Sequence, residues 1–267
     1  MVTKNIVFYS FISIALMHLS SCSLFSPAAK KEDVLVVGTN SGFPPYEMLD
    51  NDGNLIGLDI DLAKIIAQKL GKKLELQDMA FDSLIIGLQQ KKIDLILAGV
   101  SITQKRLEEV ALIPYTGKPL TKLPLLFWHE IPAGVNSIYD LNHHSNKTVC
   151  TQSGTFQEEV IAKYDFITVK PLKENADLIM DIKFGKSIAA ILETKVALAM
   201  KEQHPEIKIL DLELKPEERD LGTGIGINKT NTQLVAQITS IINELKANGQ
   251  IQKLEAQWIK GDGYGAQ

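Results

Sequence analysis

Arg106 and the residues just before it carry the plainest chemistry in this sequence. Ala98-Gly99-Val100-Ser101 follows an apolar run, and Thr103 opens a short helical pattern that contains Arg106. Free N–H groups at a helix start attract a carboxylate. A guanidinium adds a bidentate, charge-assisted pair to the same anion. A capping threonine and a solvated arginine would explain the spacing as well. Gln152-Ser153-Gly154-Thr155-Phe156-Gln157 repeats the arrangement after a second apolar run. There Gly154 lets the backbone approach a ligand, and Thr155 offers an N–H and a hydroxyl; a plain helix cap is the alternative. Glu193 follows a third such run, where a carboxylate can meet an ammonium or simply begin the next helix on the surface. Phe43 stands in Ser41-Gly42-Phe43-Pro44-Pro45, a loop with little core to bury its ring. An aromatic face in that position can stack on a planar cation, and Asn40, Ser41 and Glu47 flank it. Phe81, Tyr46 and Trp128 are further aromatic candidates, with core packing as their usual fate.

These groups need strand ends and helix starts to hold them, and the hydrophobic pattern supplies both. Residues 34–39 are apolar and β-branched, a buried strand. Ile60, Leu62, Ile65, Ile66 and Leu70 recur at helical spacing between Asp59, which suits an N-cap, and Gly71, which suits the residue after a helix. Residues 74–77 form a second strand, 81–88 a short amphipathic helix, and 93–98 an apolar third strand. A helix over 103–110 follows, after which Pro114, Gly117 and Pro119 interrupt, and 123–128 resumes as a strand. A second unit reads strand 148–150, helix 155–163, strand 167–169, helix 175–184, strand 188–192, helix 195–201 and strand 207–210. Gly222-Thr223-Gly224-Ile225-Gly226-Ile227 then precedes a long helix over 231–248, and a last helix carries Ile251, Leu254 and Trp258. Alternating strands and helices define an α/β class with parallel sheets. Two such units, separated by Pro/Gly-rich crossings, imply two lobes and a cleft. Ligands of open parallel sheets bind beyond the carboxyl ends of strands, which is where the loops after Thr39, Ala98 and Cys150 lie.

Composition narrows the function further. The chain has 267 residues, a formal charge of −4 and an ordinary apolar fraction of 45%. A nucleic-acid partner is disfavoured, because phosphate binding leans on excess Lys and Arg. No nucleophile elbow, zinc-protease, phosphate-loop or Cys-x-x-Cys motif is present, and the histidines do not pair at metal-ligand spacing. No cofactor or metal and no catalytic residue is therefore expected.

The N-terminus has a different character. Lys4 precedes an uncharged apolar run over residues 6–19, too short for a comfortable membrane span, and small residues follow. This is the layout of a secretory signal over residues 1–21. Leu19-Ser20-Ser21-Cys22 resembles the lipobox of bacterial lipoproteins, which implies cleavage before Cys22, acylation of Cys22 and a tether over 22–33. Cys150 is then the one cysteine left, so the mature chain holds no internal disulfide, and it reads as a small buried hydrophobe.

Taken in order, the motifs resemble one family, the extracytoplasmic solute-binding proteins of ABC transporters for polar amino acids. The resemblance runs from about Val34 to Trp258. It rests on Gly38-Thr39-Asn40 with Phe43-Pro44-Pro45-Tyr46-Glu47, on Gly57-Leu58-Asp59-Ile60-Asp61-Leu62, and on Ala80-Phe81-Asp82-Ser83-Leu84-Ile85. Lys92-Ile93-Asp94, Ser101-Ile102-Thr103-Gln104-Lys105-Arg106, Ser153-Gly154-Thr155 and the late Gly-rich strand complete it. The family implies a type II periplasmic-binding-protein fold of two Rossmann-like lobes. Lobe 1 would comprise 34–119 and 214–260, lobe 2 120–213, and a tail 261–267, with crossings near 118–123 and 211–215. By resemblance, Arg106 pairs with the ligand α-carboxylate, which backbone groups at Gly99, Ser101 and Thr155 share, and Phe43 and Phe81 sandwich the ligand side chain. The α-ammonium partner is usually an Asp in the second lobe; here the position falls on Glu193 or on Thr194. Asn40 and Glu47 beside the aromatic slot suit a long cation with Glu47 as counter-charge, so L-arginine is expected first, then lysine or ornithine, with glutamine as the neutral competitor. Ala98, Ser153 and Phe156 complete the expected lining. The implied partners are a membrane permease and, through Cys22, a membrane; the protein is expected to be monomeric and extracytoplasmic. The competing reading is an enzyme resembling cyclohexadienyl dehydratases, which share the fold.

Overall fold

A computed structural model describes residues 33–259, and the expected signal, the Cys22 anchor and the tail from 261 lie outside the described residues. The first sheet contains β1 (Val34–Thr39), while β2 (Met48–Leu49) and β3 (Leu55–Ile56) form a small separate hairpin. Helix α1 (Leu58–Leu70) leads to β4 (Lys73–Asp78), and a 3-10 turn at Phe81–Ser83 runs into α2 (Leu84–Gln89). Then come β5 (Leu95–Ile96), α3 (Gln104–Glu109) and β6 (Ala111–Thr116). The second unit comprises β7 (Lys122–Trp128), β8 (Thr148–Gln152), α4 (Phe156–Ile161), β9 (Thr168–Leu172) and α5 (Asn175–Lys183). It continues with β10 (Ala189–Ile191), α6 (Thr194–Gln203) and β11 (Ile207–Glu213). The chain closes with β12 (Thr223–Ile227), α7 (Thr232–Ala247) and α8 (Gln250–Trp258).

Strand order assigns these elements to two five-stranded sheets. One runs β4-β1-β5-β12-β6 and the other β11-β7-β10-β8-β9. β1 pairs in parallel with β4 and β5, whereas β12 returns antiparallel between β5 and β6. The late Gly-rich stretch is thus a strand of the first sheet, which both ends of the chain build. Neighbouring residues of a strand point to opposite faces, and each sheet has a core on both. In the first, Leu35 and Val37 pack with α1 and α7, while Ile96 packs with Leu84 and Leu88 of α2. In the second, Leu125, Phe127 and Val149 face one core and Leu126 and Cys150 the other.

Residues 117–121 and 214–222 cross between the sheets. The second crossing begins later than the expected 211–215, because Asp211, Leu212 and Glu213 stay in register with Pro124, Leu123 and Lys122. Strand β6 was hidden in the sequence by Pro114. It lies at the sheet edge, where a missing N–H is tolerated. Asp59 is not the cap of α1: Gly57 holds that position and Asp59 falls in the first turn, fully buried. Thr103, Thr155 and Asn231 do cap their helices, accepting hydrogen bonds from Arg106, Glu158 and Leu234 N–H groups. Cys150 is buried, and burial pushes its thiol up to about 12, which removes the thiolate needed for chemistry.

Candidate binding site

The loops at the carboxyl ends of β1, β4, β5, β8 and β10 converge on one cavity between the sheets. From the first unit come Phe43, Phe81, Gly99, Ser101 and Arg106; from the second come Gln152, Thr155, Phe156, Gln157 and Glu193.

Arg106 spans the junction. Only 3% of it is exposed; Nη1 donates to the Ser101 carbonyl at 2.7 Å and Nη2 to the Gly154 carbonyl at 2.9 Å. Its guanidinium carbon lies 5.6 Å from the centre of the Phe81 ring. Burial lowers its pKa from the ordinary value, while Glu159, Asp220 and Glu109 pull it back up. A guanidinium has five N–H donors, and with two engaged here three remain. Such a cation can meet an anion in the cavity with donors its two carbonyl bonds leave unused.

Gly99 meets this site with no room for a side chain. Its φ is +56°, and a Cβ there would stand 2.4 Å from Phe43 Cε1. The Gly99 N–H donates to Asp59 Oδ2 at 2.9 Å. Thr155 is committed twice, donating its hydroxyl proton to the Gln152 carbonyl at 2.7 Å and accepting from Glu158 N–H at 3.3 Å. Glu193 Oε2 accepts from the N–H groups of Lys195 at 2.7 Å and Val196 at 3.2 Å, so it caps α6 while lining the cavity. Burial raises its carboxyl above the usual range, against those two bonds. Thr194 is absent from the lining.

Four expected residues stand elsewhere. Asn40 joins the two units instead of facing a ligand: its Oδ1 accepts from Gln152 Nε2 at 2.7 Å and its Nδ2 donates to the Met79 carbonyl at 3.0 Å. Ala98 and Ser153 flank lining residues without joining them. Glu47 is wholly buried and outside the cavity. The Pro45 and Tyr46 carbonyls accept from the Leu58 and Asp59 N–H groups, which stacks the loop on the start of α1 and turns Glu47 inward. Its expected task as counter-charge is thereby displaced.

Sequence reasoning passed over three groups. Gln152 and Gln157 were visible in their motif but had no charge to single them out. Asp220 is 3% exposed and accepts from Leu120 N–H at 2.7 Å, tying one crossing to the other beside Ser101 and Arg106. Burial raises its carboxyl, and Arg106 opposes that rise. Nothing local in the sequence marked it.

The lobes meet closely around the cavity. Asn175 Nδ2 donates to the Gly42 carbonyl at 3.2 Å, Lys105 pairs with Glu159 at 3.7 Å, and a Cβ on Gly154 would lie 3.0 Å from Asp82 Cα. The space enclosed is about 20 Å³, on the scale of one water molecule. Any larger ligand has to part the lobes first. Among the described residues no His/Cys/Asp/Glu group is placed to hold a metal ion, and no helix is long and apolar enough to cross a membrane.

Two α/β lobes on two crossings, with an arginine and aromatic rings between them, define a type II periplasmic binding protein. The family model for bacterial extracellular solute-binding proteins, family 3, matches residues 35–261, and the chain belongs to that family. It is 33% identical over 223 residues to the probable ABC transporter arginine-binding protein ArtJ of Chlamydia trachomatis, covering 84% of each chain. It is 31% identical over 258 residues to the arginine-binding extracellular protein ArtP of Bacillus subtilis, covering 94% of this chain and 95% of that one. Among solved structures, a mutant of the arginine-binding protein of T. maritima superposes with a TM-score of 0.77 at 34% identity, covering 85% of this chain and 96% of the other. An ancestral amino acid-binding protein described as a precursor of cyclohexadienyl dehydratase superposes at 0.75 with 26% identity, covering 86% and 97%. The protein is thus an extracytoplasmic solute-binding protein of the amino-acid-binding kind, and the two curated relatives are named as binders.

Proposed function

We propose that the protein binds L-arginine between its lobes and delivers it to the permease of an ABC transporter, held at a membrane by acylated Cys22. The observation that carries this reading is the buried Arg106 at the lobe junction, with three N–H donors in reserve and the rings of Phe43 and Phe81 in the same lining. In it, Arg106 takes the α-carboxylate with backbone groups of Gly99, Ser101 and Thr155. Glu193, the acid in the lining, meets the α-ammonium. The ligand guanidinium stacks between Phe43 and Phe81, and Gln152 and Gln157 offer it polar partners. Phe81 already lies beside one guanidinium, that of Arg106, so its face suits a planar cation. The names of ArtJ and ArtP support arginine over lysine, ornithine or glutamine.

Closure supplies the affinity. Parting the lobes breaks the Asn40–Gln152 and Asn175–Gly42 bonds; ligand restores them by bridging both sides, and the exclusion of water strengthens every charge contact. Thermal shift and calorimetry of the chain from residue 23 onward, against all amino acids, test the reading. Arginine should give the largest shift and a 1:1 stoichiometry. A response to none would overturn it. Conversion of prephenate or arogenate would establish the dehydratase reading in its place.

A further inference from the structure

Beneath the cavity floor lie two carboxyl groups that ligand binding does not explain. Glu47 and Asp59 are both 0% exposed. Asp59 is well supplied: Oδ1 accepts from the Tyr115 hydroxyl at 2.5 Å and Oδ2 from Gly99 N–H at 2.9 Å. Glu47 is not, since among the described residues no N–H or hydroxyl reaches either of its oxygens. The Asp59 carboxyl lies beside it, brought there by the Asp59 N–H, which donates to the carbonyl of Tyr46, the residue before Glu47, at 3.0 Å. Two carboxylates are both acceptors, and they bond only when one carries a proton. The groups that act on Glu47 are Asp59 on α1 and Asp78 at the end of β4, both acidic. Tyr115 on β6 and Tyr46 in the loop complete the surroundings. The two tyrosines feel the same acids, and Tyr46 also feels Glu193 and Glu255.

We propose that Glu47 and Asp59 share one proton, with Glu47 as the donor, and that the pair positions Phe43 and Gly99 in the ligand site. Each carboxyl is attached to one side of that contact. Glu47 forms a bridge with Phe43, in which Phe43 N–H donates to the Glu47 carbonyl at 2.9 Å and Glu47 N–H to the Phe43 carbonyl at 3.2 Å. Asp59 holds the Ala98–Gly99 peptide through the Gly99 N–H. The shared proton closes the ring, so the Phe43 ring is pressed onto the bare Gly99 Cα. Glu47 and Asp59 are positioning residues: neither reaches the cavity.

Burial raises Glu47 well above the usual carboxylate range and Asp59 to about 6. A raised carboxyl binds its proton more tightly folded than unfolded, so its contribution to stability is full below the unfolded value and is lost as pH rises toward the folded one.

The infrared spectrum of the ligand-free chain at pH 7 tests the shared proton directly. A protonated-acid carbonyl band should be present in wild type, absent in Glu47→Gln and retained in Asp78→Asn. A wild type without the band overturns the proposal. In the stability arm, one retained proton makes the unfolding constant of wild type rise about tenfold per pH unit relative to Glu47→Gln between pH 6 and 7. Parallel pH profiles would overturn it too. Positioning rests on the arginine-binding reading and is read by calorimetry. Glu47→Ala should weaken arginine at least about tenfold and Glu47→Gln, which restores a neutral N–H donor, should recover most of that loss. Equal losses in both variants would overturn the positioning role. A wild type that shows the band and binds no amino acid would sink the binding reading while the proton pair stood.

Discussion

A guanidinium that is 3% exposed cannot be lost quietly. Replacing Arg106 by Ala strips the Ser101 and Gly154 carbonyls of their donor and removes the buried cation that, among the described residues, lines the cavity. Truncating one partner of a buried charge contact costs about 2–5 kcal/mol, so arginine affinity should fall at least about 30-fold by calorimetry. Arg106→Lys keeps the charge and loses the planar fork, and should fall between the two. Glu193→Gln keeps an oxygen for the α6 cap but loses the charge that the proposed function sets opposite the ammonium; a weakening of about tenfold is expected, against less than about twofold for Thr194→Ala. Comparable losses would reopen the choice between them. At this scale Arg106, Ser101, Gly99 and Thr155 were readable because a strand end followed by a helix start is a local pattern. Glu47 was not: a carboxylate beside an aromatic loop looks the same in sequence whether it faces a ligand or a buried Asp59 from a different element.

Elements explain why the floor of the site is so exact in composition. Gly99 combines a left-handed φ of +56° with the approach of Phe43, so Gly99→Ala is penalised by both backbone and ring. It should destabilise the fold by about 1–3 kcal/mol in urea titrations, and displace Phe43 enough to weaken arginine. Thr103→Ala removes only a cap and should cost about 1 kcal/mol of stability with little change in ligand affinity. The period of apolar residues made most helices legible, including α1 and α7. Strand β6 was not, because Pro114 reads as a breaker until the sheet order shows it to be an edge.

Hydrogen bonds from Gln152 to Asn40, Asn175 to Gly42 and Arg106 to Gly154 join the lobes across the cleft. Gln152 bonds Asn40 across the cleft while also lining the cavity. Gln152→Ala should therefore favour the open form, weaken arginine about fivefold to tenfold and raise its dissociation rate. Small-angle scattering should record a smaller radius of gyration for wild type with arginine than for Gln152→Ala without it. An equal radius in every state would exclude lobe motion as the route of ligand admission, leaving the cavity of about 20 Å³ unexplained as a binding site.

The sequence by itself determined the α/β class, the paired units, the helix caps at Thr103 and Thr155, and the residue types able to grip a zwitterion, because each depends on neighbours within a few positions. Only the tertiary structure decided which of those residues face one cavity. It sent Asn40 to the lobe contact and Glu47 to Asp59, and it brought in Gln157 and placed Asp220 beside Arg106. Facing is a property of two chain segments far apart in sequence, and burial, which settles the charge state of a carboxyl, exists only once they have met.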